Sequence, residues 1–257
     1  MAMTETPLSG AVALVTGASS GIGAATARSL AARGAAVALI ARRRDRLDQL
    51  AAELTDDGRG AAVLEGDITD PEVASGAVQD TVDRLGRLDI LINNAGIMLL
   101  GTALHTTTDQ WDRMIALNVS ALVHVTHAAV PYLINAAATS PRRVADIVNV
   151  SSTAGRVARP ASSVYNLTKF GLNGFTESLR QELLEERVRV SVIEPGTVDT
   201  ELVDHLTDDL RDAVRRQVDG IDPLHPEDVA DAITYIVTRP RRVSLNELLL
   251  RATDQTW

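Results

Sequence analysis

The sequence predicts an α/β fold: a single doubly wound Rossmann-type domain over residues 1–257, with a seven-stranded, mostly parallel sheet and helices on both faces. Two observations predict it. Short apolar runs alternate with longer helical patterns along the chain, and a glycine-rich turn joins the first run to the first helical pattern. We find no internal repeat and no low-complexity linker, so no domain boundary is expected.

Seven apolar runs have the length and the bounds of buried strands, and they lie at residues 11–15, 36–41, 61–65, 88–92, 144–150, 188–193 and 245–250. Helical patterns fill the intervals at 22–33, 45–57, 71–85, 109–138, 163–187 and 226–238, with short helical pieces expected between 200 and 219. Pro226 and the acids after it open the last helix well, and Pro240 ends it.

Composition narrows the class of protein. Hydrophobic residues make up 45% of the 257 residues and aromatic residues only 3%, which predicts a large aliphatic core. The net charge of −9 argues against a nucleic-acid partner. No apolar run approaches the ~20 residues of a membrane span, and residues 1–7 do not resemble a signal peptide. We expect a soluble, cytoplasmic protein without disulfides, and the spacing of the five histidines predicts no metal site.

The first apolar run leads into Thr16-Gly17-Ala18-Ser19-Ser20-Gly21-Ile22-Gly23 and then into a helix. A strand, a glycine-rich turn and a helix in this order direct backbone N–H groups at a pyrophosphate. An ordinary flexible strand–helix turn is the alternative. The predicted nucleotide contacts in this loop are Gly17, Ser19, Ser20, Gly21, Ile22 and Gly23.

The end of the second strand predicts which nucleotide binds. An acid that would bond the 2′-hydroxyl of NAD is expected about 20 residues after the first glycine, but Arg42, Arg43 and Arg44 stand there. Guanidinium groups pair with a 2′-phosphate, so we predict NADP(H) over NAD(H), with Arg42 and Arg43 as contacts. The alternative is a solvated start to the next helix, with Asp45 and Asp48 as partners of the arginines.

Tyr165 and Lys169 stand four residues apart, so on a helix they share one face. A nearby ammonium favours the phenolate, and we expect Lys169 to lower the pKa of Tyr165 and make it a proton donor or acceptor. An amphipathic helix that carries both residues by chance is the alternative.

These motifs, together with those at Asn93-Asn94-Ala95-Gly96, Ser151-Ser152 and Pro195-Gly196-Thr197-Val198-Asp199-Thr200, resemble the short-chain dehydrogenase/reductase family over essentially the whole chain. The resemblance implies the catalytic residues Asn118, Ser152, Tyr165 and Lys169. It also implies cofactor contacts from Asp67, Ile68, Asn94, Ala95, Gly96, Tyr165, Lys169, Pro195, Gly196, Val198 and Thr200.

Several of these residues also have simpler interpretations. Ser152 could cap a loop, Asn118 could lie on a solvated helix face, and Asp67 could brace the loop after the third strand. Asn93 and Gly96 could serve as turn residues as well as cofactor contacts. Met98, Leu99 and Val157 are candidates for the substrate pocket or for the core.

Within the family, the chain is most similar to the clavulanate dehydrogenase group of NADPH-dependent secondary-metabolite reductases, in residues 93–101, 193–197 and 253–255. The function predicted is reduction of a ketone or aldehyde with NADPH. The alternatives are a nucleotide-sugar epimerase or dehydratase and a non-catalytic NADP(H) sensor. The resemblance also implies a homo-oligomer, a tetramer before a dimer, and residues 200–222 are predicted to form a lid over the substrate.

Overall fold

Seven parallel strands form one sheet in the computed structural model of the chain, which describes residues 6–55, 60–202, 211–212 and 220–256. The strands are β1 (Val12–Thr16), β2 (Ala36–Ala41), β3 (Ala61–Glu65), β4 (Ile90–Asn93), β5 (Ala145–Val150), β6 (Val188–Pro195) and β7 (Glu247–Leu250). Their order across the sheet is β3-β2-β1-β4-β5-β6-β7, and every pair is parallel. The predicted doubly wound fold is confirmed.

The helices are α1 (Gly21–Ala32), α2 (Arg44–Thr55), α3 (Pro71–Leu85), α4 (Thr108–Ile115), α5 (Leu122–Thr139), α6 (Ser163–Glu182) and α7 (Pro226–Val237). A π-helical segment, Ala116–Ala121, joins α4 to α5, and a 3₁₀ turn, Thr153–Gly155, follows β5. The helix predicted at 71–85 has these bounds because Asp70 caps its first turn and Gly86 ends it in a left-handed conformation.

Other predicted bounds were wrong by a few residues. The helix predicted at 163–187 ends at Glu182, since the chain then turns and Arg187 takes a positive φ of 61°. The helix predicted at 109–138 is interrupted by the π-helical segment. Residues 56 and 57, and most of the predicted lid, lie outside the described residues.

Successive side chains of a strand point to opposite faces of the sheet, which divides the core into two layers. In β1, Ala13 and Val15 pack with α1, α2 and α7, whereas Leu14 packs on the opposite face with α3 and α5. Both faces of the sheet are covered, so β1, β5 and β6 are buried at every residue, as is typical of parallel sheets.

The stretch Thr108–Thr139 is, by length and composition, the one helical stretch among the described residues that could cross a membrane, a candidate that the sequence analysis did not find. Val125, Ala129 and Leu133 of α5 are fully buried in the layer between the sheet, α3 and α5. In the most apolar part of the stretch 39% is buried, so one face of it packs in the core.

The sheet reverses its direction of winding between β1 and β4, which are neighbours although two further strands separate them in sequence. The connections after these two strands leave the sheet toward opposite faces, and a crevice opens at their carboxyl ends. The fold therefore positions a ligand site beside the glycine-rich loop after β1.

Candidate active site

A cleft of about 890 Å³ opens at the carboxyl ends of the strands. Most predicted site residues line it, namely Gly17, Ser19, Ser20, Gly21, Ile22, Arg42, Arg43, Asp67, Ile68, Asn94, Ala95, Gly96, Ser152, Tyr165, Lys169, Pro195, Gly196, Val198 and Thr200. Gly23 and Asn118 are not in the wall of the cleft and lie behind it. Segments far apart in sequence thus meet around one space.

Close packing explains the glycines of the loop after β1. Gly17 and Gly21 have φ of 66° and 51°, in the left-handed region that favours glycine. A Cβ on Gly17 would lie 2.9 Å from the Cα of Ala95, and one on Gly23 would lie 2.4 Å from the carbonyl oxygen of Gly17. Gly23 therefore allows α1 to approach its own loop rather than contacting a ligand directly.

Thr16 ties this loop to β4, a role that the sequence analysis missed. Its hydroxyl accepts hydrogen bonds from the backbone N–H groups of Asn94 and Ala95, both at 3.0 Å. The Asn94 amide donates in return to the carbonyl oxygens of Thr16 and Gly17, at 2.9 and 3.3 Å. The floor of the cleft is thereby fixed across the switch point of the sheet.

Arg43 faces the cleft at the end of β2. Its guanidinium donates to the hydroxyl of Ser19 at 3.0 Å and to that of Ser20 at 2.7 Å. It also pairs with Glu201, which Arg46 approaches to 2.6 Å from the other side. Hydrogen bonds from Arg43 and Arg46 lower the pKa of Glu201 to about 2. Arg46 and Glu201 were not predicted as site residues.

Arg42 and Asp67 line the cleft next to Arg43. Arg42 approaches the Asp67 carboxylate to 4.0 Å, and both side chains are largely exposed. Asp67 also accepts hydrogen bonds from the N–H and hydroxyl of Thr69. Although burial acts to raise it, these bonds and the Arg42 charge hold the pKa of Asp67 below its ordinary value. Asp67 thus braces its loop and also faces the cleft.

Arg44 behaves differently from its two neighbours. It pairs with Asp48 one helical turn along α2, at 2.9 Å. Arg44 therefore fits the alternative interpretation, in which an arginine at a solvated helix start pairs with an acid of the same helix. Arg42 and Arg43 instead line the cleft.

Tyr165 and Lys169 lie one turn apart on α6 and face the same end of the cleft. The Lys169 ammonium is 5.8 Å from the centre of the Tyr165 ring and donates to the carbonyl oxygen of Val150 at 2.9 Å. The hydroxyl of Ser152, just after β5, acts to lower the pKa of the Tyr165 phenol, and both side chains line the cleft. Three of the four predicted catalytic side chains therefore lie together in the cleft.

The expectation that the Tyr165 pKa is lowered was wrong for this structure. Tyr165 and Lys169 are each only 7% exposed, and burial disfavours the charged form of either side chain. Burial raises the pKa of Tyr165 to about 12, against a smaller lowering by the Ser152 hydrogen bond. Burial also lowers the pKa of Lys169 to about 8. Desolvation outweighs the attraction between the two groups.

Asn118 lies in the π-helical segment and is buried, not on a solvated face. Its carboxamide accepts from the N–H of Ile97 and donates to the Ile97 carbonyl oxygen, both at 2.9 Å. It also donates to the hydroxyl of Thr168, which in turn donates to the Tyr165 carbonyl oxygen. Asn118 thus joins the loop after β4 to the helix that carries Tyr165. The catalytic role that the family resemblance implies for Asn118 stays a prediction.

Glu194, at the end of β6, anchors the loop after β5. It is fully buried, and Arg156 donates to both of its oxygens while Asn173 of α6 approaches to 2.6 Å. Arg156 contacts Glu247 of β7 as well. The charge of Glu194 is compensated by these partners, which brace the chain that follows Ser152.

The substrate end of the cleft is partly apolar. Met98, which the sequence left open between the pocket and the core, lines it together with Ile97, Leu100, Leu117 and Ala154. Leu99 does not line the cleft, because it packs in a buried cluster with Met114 and Tyr165. Val157 is exposed and also lies outside the cleft wall. No group of side chains among the described residues has the geometry of a metal site.

A family model described as short chain dehydrogenase matches residues 11–211, a span that holds the glycine loop, Tyr165, Lys169 and the segment after β6. This chain belongs to the short-chain dehydrogenase family. It is 37% identical over 251 residues to a glycine betaine reductase of Emericella nidulans, an alignment that covers 97% of this chain and 19% of that protein. The chain therefore spans about a fifth of that relative's length.

Solved structures support the assignment. A short chain dehydrogenase from Burkholderia cenocepacia in complex with NADP is 31% identical, with a TM-score of 0.83, and the alignment covers 95% of this chain and 98% of that one. A 3-ketoacyl-(acyl-carrier-protein) reductase from Brucella melitensis, complexed with NADH, is 28% identical with the same TM-score of 0.83, covering 96% of this chain and 98% of that one. The predicted family membership is confirmed, and the family uses a nicotinamide cofactor.

The residues of this chain fit such a cofactor. Positive φ at Gly17 and Gly21 and the lack of side chains there leave a bare backbone surface at the start of α1, which suits a pyrophosphate. Arg42, Arg43 and Ser19 offer donors at the adenosine end. At the far end, Lys169, Pro195 and Val198 would hold the nicotinamide riboside.

Proposed function

We propose that this chain is an NADPH-dependent carbonyl reductase, which converts a ketone or aldehyde to an alcohol by reversible transfer of hydride. One observation carries the proposal: Ser152 and Tyr165, with Lys169 one turn away, line the same cleft as the glycine loop. Acid–base groups and a dinucleotide site in one cleft support a hydride-transfer enzyme of the CH–OH class.

The roles of the side chains follow from their chemistry. When bound, the reduced nicotinamide supplies a hydride to the carbonyl carbon of the substrate. Ser152 donates a hydrogen bond to the carbonyl oxygen, where negative charge develops. Tyr165, protonated because its pKa is raised to about 12, gives its proton to that oxygen. The ammonium of Lys169 then stabilises the phenolate that remains.

Arg42 and Arg43 support the choice of NADP(H) over NAD(H). The two guanidinium groups face the adenosine end of the cleft, and Arg43 already bonds the hydroxyls of Ser19 and Ser20. A 2′-phosphate there would receive charge-assisted hydrogen bonds from this group of donors. Two acids lie beside these arginines: Asp67 is engaged by Thr69 and Arg42, and Glu201 pairs with Arg43 and Arg46.

The proposal extends to the domain organisation, assembly, location and metabolic role of the protein. The whole chain is proposed to be one domain and to assemble as a homo-oligomer, with a tetramer favoured. A cytoplasmic location is proposed because the reaction draws on a soluble dinucleotide pool. A role in secondary metabolism, akin to that of clavulanate-type reductases, rests on the short sequence segments alone.

The two alternatives have less support. A non-catalytic NADP(H) sensor needs no proton donor, yet Ser152, Tyr165 and Lys169 all line the cleft. The Gly-x-x-x-Gly-x-Gly spacing of Gly17, Gly21 and Gly23 counts against a nucleotide-sugar epimerase or dehydratase.

A screen of NADPH oxidation against ketones and aldehydes tests the proposal, with Tyr165→Phe as the matched control. We expect turnover with NADPH, less with NADH, and a loss of at least about 10²-fold in kcat for the variant, since general acid catalysis contributes about 10²–10⁴-fold. Both proteins should bind NADPH with similar affinity. Tight NADPH binding without turnover of any carbonyl would instead favour the sensor, and turnover of a nucleotide sugar alone would favour the epimerase or dehydratase.

A further inference from the structure

The C-terminal tail reaches the loop that follows β6. Strand β7 pairs with β6 up to Pro195 and Leu250, and the N–H of Gly196 donates to the Leu250 carbonyl oxygen at 2.7 Å. The chain then turns back, and the N–H of Gln255 bonds to the carbonyl oxygen of Ala252 at 3.0 Å. This turn directs the Gln255 side chain toward Gly196.

Gln255 packs directly on the backbone of that loop. Its Oε1 accepts a hydrogen bond from the N–H of Thr197 at 3.0 Å. A Cβ on Gly196 would lie 2.0 Å from the same oxygen and 2.9 Å from Cδ, so only glycine leaves room for the amide. The side chain is 7% exposed, unlike its neighbours Asp254 and Thr256, which are exposed.

The loop is held from its other side as well. Leu224 exchanges backbone hydrogen bonds with Thr197 and Asp199, at 3.0 and 2.8 Å. Gln255 and Leu224 therefore hydrogen-bond to this loop from opposite sides. The side of the loop that they leave free lines the cleft at Gly196, Thr197 and Val198. The Nε2 atom of Gln255 is buried and has no hydrogen-bond partner among the described residues. Such a group is retained at a cost, which points to a functional reason for the amide.

We propose that Gln255 is a positioning residue, which fixes the Gly196–Thr197 backbone so that the loop can hold the nicotinamide end of the cofactor. The proposal rests on the proposed function, since it takes the nicotinamide to lie against this loop. It predicts that Gln255 affects the nicotinamide half of the dinucleotide and not the adenosine 2′-phosphate half, which Arg43 serves at the opposite end of the cleft.

The test compares two ligands by calorimetry: NADPH, and 2′-phospho-ADP-ribose, which lacks the nicotinamide. We expect Gln255→Leu to raise the Kd for NADPH about tenfold, the equivalent of one net hydrogen bond, and to leave the Kd for 2′-phospho-ADP-ribose within about twofold. Gln255→Glu retains an acceptor of the same reach and should recover most of the NADPH affinity. Asp254→Ala, an exposed change in the same turn, is the matched control and should change neither Kd.

A merely structural role would weaken both ligands together or lower the melting temperature alone, and either result would overturn the proposal. Equal NADPH affinity in Gln255→Leu and wild type would overturn it too. Because binding is measured without turnover, the result is separate from the carbonyl screen. A wild-type protein that binds NADPH but reduces no carbonyl refutes the proposed function and leaves this comparison valid.

Discussion

Tyr165 and Lys169 are both buried, and burial shifts each pKa in the direction that favours the neutral side chain. The pKa of Tyr165 rises to about 12 and that of Lys169 falls to about 8. A protonated phenol is the form that carbonyl reduction needs, whereas oxidation of an alcohol needs the phenolate. In the proposed enzyme these shifts would favour reduction near neutral pH.

The pH dependence of the reaction follows from these shifts. Below about pH 8 Lys169 is an ammonium and Tyr165 is protonated, so kcat/KM for carbonyl reduction at saturating NADPH should be level. Above that pH Lys169 loses its proton and no longer stabilises the phenolate, so the rate should fall. The reverse oxidation should accelerate as the pH rises. A reduction rate that increased from pH 7 to 9 would contradict this account.

Arg43 should determine the preference for a 2′-phosphate. Arg43→Ala removes a guanidinium that bonds Ser19 and Ser20, and we expect the Kd for NADPH to rise about 10–100-fold, the range of one hydrogen bond to a charged group. The Kd for NADH should change less than about threefold. Arg44→Ala is the control, because Arg44 pairs with Asp48 away from the cleft. An equal loss for both dinucleotides would show that Arg43 acts on the loop and not on the phosphate.

At the scale of elements, two local departures from regular structure position the site. The π-helical segment between α4 and α5 carries Asn118 and turns its side chain toward Ile97 and Thr168. Single π turns inside helices are frequent at functional sites, since the wider turn redirects a side chain at a cost in regular hydrogen bonding. The second departure is the positive φ at Gly17 and Gly21, which lets the chain pass from β1 into α1 with its N–H groups exposed.

The elements formed by contiguous residues could be predicted from the sequence, whereas contacts between residues far apart in the chain could not. The glycine loop was recognisable because its strand, turn and helix are contiguous. Thr16 and Asn94, which are hydrogen-bonded, lie 78 residues apart in the sequence, and the ion pair of Arg43 and Glu201 joins residues 158 apart. No local sequence pattern indicates either contact. The end of α6 was missed for a similar reason, because the turn before β6 is set by the return of the chain to the sheet.

At the scale of the whole molecule, an apolar surface extends over adjoining helices. Ile115 and Val119 lie one turn apart on the α4–π segment, and Leu167 and Phe170 lie on α6, which packs beside it. Their exposed fractions range from 36% to 62%. A patch of this kind across two helices is typical of a subunit interface and supports the proposed homo-oligomer.

Charge introduced into this surface should break the assembly. We expect wild type to run as a tetramer in light scattering coupled to size exclusion, and Leu167→Glu/Phe170→Glu to run as a smaller species with its fold intact by circular dichroism, because burying two carboxylates in an interface is strongly unfavourable. Ser75→Glu, on the exposed face of α3, is the control. A wild-type monomer at micromolar concentration would refute the oligomer.

The sequence by itself determined the class of fold, the family and the dinucleotide loop, because each depends on periodicity or on residues next to one another in the chain. It also named the side chains of the acid–base site. Only the tertiary structure decided how those side chains ionise, since the burial that raises the pKa of Tyr165 comes from elements packed around it. The same holds for Glu201 and Gln255, which join the site only because folding brings the chain after β6 and the C-terminal tail to the cleft and its loops.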